Sequence, residues 1–68
     1  MNRIPVVSSN IRSVGYDNGV LEIEFNSGGI YQYPDVPRST YESLMAASSK
    51  GGFFSTYIKE RYRFIKIR

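Results

Sequence analysis

The dipeptide Asn18-Gly19 sits between two runs whose apolar residues alternate, Ile11 to Asp17 and Val20 to Phe25. Asn-Gly in that setting selects a two-residue type I′ turn, which needs positive φ at both central positions and whose twist matches paired antiparallel strands. The chain is thereby committed to a hairpin near its N-terminus. A two-residue loop sets Asp17 opposite Val20, Tyr16 opposite Leu21, Val14 opposite Ile23 and Arg12 opposite Phe25. Val14, Tyr16, Leu21, Ile23 and Phe25 then share one apolar face, while Ser13, Gly15, Glu22 and Glu24 face the other way and the two glutamates point to solvent.

A second turn, Asn26-Ser27-Gly28-Gly29, leads into Ile30-Tyr31-Gln32-Tyr33 and admits two registers. A three-residue loop with Gly28 left-handed places Tyr31 opposite Ile23 and Tyr33 opposite Leu21, in the core. A two-residue loop at Ser27-Gly28 places them opposite Glu24 and Glu22 and exposes both rings. The first is favoured, because it leaves Gln32 outside and keeps one apolar face.

Pro34-Asp35-Val36-Pro37 ends the strand, since proline cannot donate to a ladder. Pro37 suits a first helical position, Ser39 and Glu42 have capping-box spacing, and Tyr41, Leu44, Met45 and Ser48 recur at helical spacing to about residue 48. Ser49-Lys50-Gly51-Gly52 reads as the stop, with a glycine taking the left-handed cap. A second helix is expected over Phe54 to Tyr62, with Phe54, Tyr57, Ile58 and Tyr62 on its apolar side. Arg63 to Arg68 then alternates as a last strand at a sheet edge. The expected fold class is α+β, a three-stranded antiparallel meander with a two-helix hairpin on one face and a short C-terminal strand. Residues 1–68 form one domain, with 1–7 loosely ordered.

Sixty-eight residues without cysteine, histidine or tryptophan must hold that fold with no staple, so the six tyrosines and four phenylalanines carry much of the burial. The same absences exclude a disulfide framework, a Cys or His metal site, a thiol nucleophile and a Ser-His-Asp triad. No apolar run is long enough to span a membrane, and the first residues lack the apolar stretch of a signal peptide, so a cytoplasmic location is expected. Glu22 and Glu24, two apart on one strand, have a spacing that would suit paired acid–base groups, but alternation alone accounts for them. The serines have no obvious base, and neither Gly28-Gly29 nor Gly51-Gly52 is a phosphate loop. Lys50-Gly51-Gly52 reads first as a C-cap and turn, with an anion seat before the second helix as the lesser alternative. The expectation is a protein without catalysis, cofactor or metal.

Charge is distributed unevenly. Residues 1–58 sum to a formal −1, whereas residues 59–68 hold Lys59, Arg61, Arg63, Lys66 and Arg68 against Glu60 and sum to +4. Tyr57, Tyr62 and Phe64 are interleaved with these cations. Cations for phosphates beside aromatic faces for bases are the ingredients of single-stranded nucleic-acid binding. A solubilising end with core aromatics has the same spacing.

The ordered set Ser8-Ser9-Asn10-Ile11, Gly15-Tyr16-Asp17, Leu21-Glu22-Ile23-Glu24-Phe25, Gly28, Tyr31-Gln32-Tyr33, Val36-Pro37, Tyr41, Ser49-Lys50-Gly51, Phe54, Ile58 and Tyr62 resembles the KTSC domain. That short module is named for the C-terminus of some lysyl-tRNA synthetases and otherwise occurs as small bacterial and phage proteins. The resemblance implies no catalytic residues and an association with RNA rather than DNA. The residues that would carry it are Lys59, Arg61, Arg63, Lys66 and Arg68 on phosphates, Lys50 as an outlying cation, and one or more of Tyr31, Tyr33, Tyr57 and Tyr62 for stacking. The alternative is a protein-interaction or self-associating module, monomer or weak homodimer, using a sheet edge or the tyrosine-bearing face.

Overall fold

In the computed structural model, which describes all of residues 1–68, Asn18 and Gly19 have φ of 52° and 82°, the pair of left-handed residues that a type I′ turn requires. The hairpin they close joins β2 (Ile11–Asp17) to β3 (Val20–Phe25). Asp17, Tyr16 and Val14 stand opposite Val20, Leu21 and Ile23, the expected register. It breaks near the open end. Ile11, not Arg12, opposes Phe25, and the shift falls between Ile11 and Ser13. Strict alternation would have turned Arg12 into the core; the bulge inserts one residue, buries Ile11 completely and leaves Arg12 exposed.

The second turn takes the three-residue form. Gly28 has φ of 104°, its N–H reaches the Phe25 carbonyl at 2.8 Å, and β4 (Ile30–Tyr33) pairs Tyr31 with Ile23 and Tyr33 with Leu21. Both tyrosines therefore face the core side, where Tyr33 is buried and Tyr31 partly so.

Two helices follow. α1 (Arg38–Ala46) starts after Pro37, whose ψ of 150° makes it the N-cap rather than the first helical residue. No side chain caps it, so the Ser39–Glu42 capping box does not form. α2 (Lys50–Tyr57) begins where a helix stop was expected. The Ser49 hydroxyl accepts the Gly52 N–H at 3.2 Å, making Ser49 an N-cap and placing Lys50, Gly51 and Gly52 in the first turn. Neither glycine takes a positive φ. Gly51 is needed for space instead, since a Cβ there would lie 2.9 Å from Asn10 Nδ2. The helix also ends at Tyr57, and residues 58–62 continue as turns closed on the Phe54 and Ile58 carbonyls.

The chain returns to the sheet as β5 (Ile65–Lys66) on β4, and the opposite edge gains β1 (Ile4–Pro5) on β2, giving an all-antiparallel order β1-β2-β3-β4-β5. The expected meander is the centre of a five-stranded sheet. Its helix-facing side holds Ile11, Val14, Leu21, Ile23 and Tyr33 against Val36, Leu44, Phe54 and Ile58. Tyr16 stacks on Tyr41 at 4.8 Å and donates to the Val36 carbonyl at 2.6 Å, anchoring α1 and the loop before it. The other side is covered near β1 and β2. Residues 1–3 cross Gly15, and Arg3 reaches Glu22, so Glu22 is buried and Glu24 only partly exposed rather than solvated as alternation alone implied.

Candidate nucleic-acid interface

A groove runs between the open end of the β2–β3–β4 meander and α2. Its aromatic end, 360 Å³, is lined by Phe25, Tyr31, Tyr33, Phe54 and Phe64 with Ser27 and Lys59. These rings lean on one another edge to face, Phe25–Tyr31 at 5.6 Å, Phe25–Phe54 at 5.3 Å and Tyr31–Phe64 at 5.4 Å, and so form one continuous wall. Phe25, Ser27, Phe54 and Lys59 are shared with a second hollow of 430 Å³, where Ser9, Asn10, Asn26 and Ser55 replace the aromatics. Ser9, Asn10 and Gly51 continue into a third, of 370 Å³, that ends at Ser48, Ser49 and Lys50. One strip thus passes from aromatic to polar.

Local structure explains how distant residues reach this strip. Ser8 Oγ accepts the N–H of Asn10 and of Ile11, both at 3.2 Å, turning the chain into β2. Asn26 Nδ2 donates to the Ser8 and Ser9 carbonyls at 3.2 and 2.9 Å, and the Asn26 N–H reaches the Asn10 carbonyl at 2.8 Å. The segment before β2 is thereby tied to the β3–β4 turn, and Gly51 lets α2 approach it closely.

The C-terminal cations are spread over several surfaces. Lys59 lines the groove and, like Lys66, forms no ion pair; Lys66 Nζ lies 6.0 Å from the centre of the Tyr31 ring. Arg61 sits outside the groove over Tyr57, 6.0 Å from its centre, beside a 210 Å³ cleft that also includes Tyr62, Phe53 and Ser39. Arg63 pairs with exposed Asp35 at 3.8 Å, and Arg68 with Glu24 at 3.9 Å. Lys50 turns its amine onto the Ala47 carbonyl at 3.0 Å, beyond the end of α1, and Ser49 takes up the Gly52 N–H that an anion would have used.

The tyrosines divide similarly. Tyr31 presents a half-buried ring to the groove between Phe25 and Phe64. Tyr33 contributes to the wall from a buried position, where desolvation, with Tyr31 nearby, pushes its phenol up to about 12. Tyr57 is 48% exposed and Tyr62 packs against the core, both outside the groove. Sequence alone gave no sign of Asn10, Asn26, Phe25 or Phe54 as lining residues. Phe64 stood out only through its place among the cations.

The KTSC domain pattern matches residues 7–62. The chain belongs to the KTSC domain family. A crystal structure of a KTSC domain protein from Yersinia pestis superimposes with a TM-score of 0.95 at 46% identity, covering 98% of this chain and 97% of that one. An uncharacterised protein of Stutzerimonas stutzeri is 40% identical over 98% of this chain and 99% of its own length. A lysine–tRNA ligase of Nostoc punctiforme is 48% identical over 44 residues, which are 65% of this KTSC chain and 8% of the ligase. Three of the segments that carry the family resemblance, Ser8-Ser9-Asn10, Tyr31-Gln32-Tyr33 and Ser49-Lys50-Gly51, contribute lining residues to the one groove.

Proposed function

We propose that this KTSC domain binds single-stranded RNA in the groove. The reading is carried by one observation: an aromatic wall with a partly open Tyr31 and Phe64 lies between two cations, Lys59 and Lys66, that no carboxylate neutralises. Bases stack on such a wall whatever their identity, and lysines serve the phosphates as point charges. Ser9, Asn10, Asn26 and Ser27 offer hydroxyls and amides to base edges or ribose further along. Lys50 marks the polar end. Arg61, Arg63 and Arg68, which face elsewhere, add long-range attraction. The partial match to lysine–tRNA ligases supports RNA over DNA.

Fluorescence anisotropy with a labelled single-stranded RNA of about ten nucleotides, within the usual site size, tests this. Binding weakens with salt, log K falling by about 0.7 per phosphate contacted, and Tyr31→Ala and Lys59→Glu each weaken it about tenfold or more. Absence of saturable binding at ~100 μM protein in low salt, where nonspecific binders already saturate, overturns the reading.

A second reading rests on a different surface. Ile65 in the outermost strand and Ile67 just beyond it are 55% and 52% exposed, at an edge where another strand can add. Light scattering that gives a monomer at all concentrations removes its self-associating form.

A further inference from the structure

The side of the sheet away from the helices holds a compact polar cluster that the groove does not use. Glu22 and Glu24 stand two apart on β3, and Arg3 lies over them. Arg3 Nη1 donates to Glu22 Oε2, Arg3 Nε donates to Ser13 Oγ at 3.0 Å, and Ser13 Oγ in turn donates to Glu24 Oε1 at 2.9 Å. Gln32 Nε2 holds the other Glu22 oxygen at 2.7 Å. Both carboxylates are thus oriented by neighbours that are themselves in place. Gly15 forms the floor: a Cβ there would lie 2.9 Å from the Asn2 carbonyl and 3.1 Å from Arg3 Cγ.

Apart from Arg3 itself, the segment that delivers it is held mainly at Val6, which is partly buried against the core. β1 is two residues long, and Ile4 is 53% and Val7 98% exposed. Its pairing with β2 reaches from Ile4 to Val6, whose N–H meets the Arg12 carbonyl at 3.1 Å. A two-residue edge strand belongs to the less protected part of a sheet, whereas the guanidinium set among Glu22, Ser13 and Glu24 is the specific part of the contact.

From this we infer that the back of the sheet is a binding site for an arginine borne on an extended peptide segment, a site that residues 1–7 occupy in cis. The ligand class follows from what is seated there. A strand laid on the β2 edge supplies main-chain bonds, the floor at Gly15 admits only a chain that crosses closely, and two carboxylates with Ser13 between them fit a guanidinium better than an ammonium. A partner segment of this chemistry displaces the arm and pairs with β2. The tethered arm competes at an effective concentration on the order of millimolar, so it acts as a built-in inhibitor of that site.

The test uses the full chain with Arg3→Ala, which vacates the guanidinium position, and the free peptide Met-Asn-Arg-Ile-Pro-Val-Val as probe, followed by amide NMR shifts. Saturable changes at Ser13, Gly15, Glu22 and Glu24 are expected, with binding about tenfold weaker when the peptide carries Lys in place of Arg and lost when it carries Gln. Equal binding of the three peptides, or no shifts at a native-like spectrum, overturns the inference. Should Arg3→Ala not fold, Ile4→Gly, which loosens the arm and keeps Arg3, must admit the same peptide in competition; failure to do so at several millimolar peptide also overturns it. The RNA-binding reading is unaffected by either outcome, since the groove lies on the opposite side of the sheet.

Discussion

Gly15→Ala isolates the contribution of the N-terminal arm. The substitution adds a methyl group to β2 at a point where the nearest atom is backbone, the Asn2 carbonyl at 2.9 Å, with Arg3 Cγ at 3.1 Å and Met1 Cγ at 3.2 Å beyond it. A backbone oxygen cannot rotate away as the end of a side chain can, so the arm itself must lift. Lifting it stretches the Arg3 contacts to Ser13 and Glu22 and leaves Glu22, only 7% exposed, without its counter-ion. Hydrogen bonds to charged groups contribute about 1.5–3 kcal/mol each, and the partial exposure of Arg3 places this pair at the low end. The loss is offset by about 0.4–1 kcal/mol, because alanine restricts the unfolded chain and Gly15 has no positive φ to forfeit. A net destabilisation of about 1–3 kcal/mol follows, a large part of the ~3–5 kcal/mol available to a domain of this size. Thermal unfolding would read it as a fall of roughly 4–8 °C per kcal/mol. The decisive measurement is the cycle with Arg3→Ala. If the damage acts through the arm, the double variant is no less stable than the worse single one by more than about 0.5 kcal/mol. Full additivity would refute this account and place the cost inside the sheet.

Three further outcomes follow from the same structure. Gly19→Ala, at φ of 82° with no atom near the new Cβ, costs about 1–2 kcal/mol of backbone strain alone, read as a lower urea midpoint at unchanged m. Burial raises the Glu22 pKa, but hydrogen bonds from Gln32 and Arg3 and the Arg3 charge outweigh it and hold the carboxyl below 4.5. A depressed pKa means that its stabilisation is fully present above the unfolded value and disappears as pH falls through the folded one, so wild type and Glu22→Gln differ in urea midpoint near neutrality and converge in acid. Tyr33 ionises near 12 in an absorbance titration, and Tyr33→Phe removes that step. Since the raised pKa favours the neutral phenol in the fold, that contribution is complete below pH 10 and lost as pH rises toward 12.

Much of the fold was legible because its signals are short-ranged. Asn18-Gly19 and Gly28 each specify a turn from within a few residues, and the turns then set the register that puts Tyr31 and Tyr33 on the core side. The helix boundaries were less legible. Ser49-Lys50-Gly51-Gly52 contains both a serine fit for an N-cap and glycines fit for a C-cap, and local energies do not rank the two. Packing ranks them: α2 must start at Lys50 for Phe54 and Ile58 to reach the sheet, and Gly51 gives Asn10 its room. Of the candidate binding residues, the +4 segment was visible as a composition, but its cations scatter because residues 58–62 turn instead of continuing the helix.

The amino-acid sequence by itself determined the antiparallel centre, its two turns, the aromatic stock of the core and the absence of thiol and imidazole chemistry, all matters of composition or of neighbours along the chain. Only the tertiary structure decided that Ser8-Ser9-Asn10 meets Gly51, that Lys59 and Lys66 flank one aromatic groove while Arg61 leaves it, and that Glu22 lies under Arg3 instead of in water. Those contacts join residues far apart in sequence. Their energies exist only once the sheet has brought the partners within a few ångströms, so no local pattern encodes them.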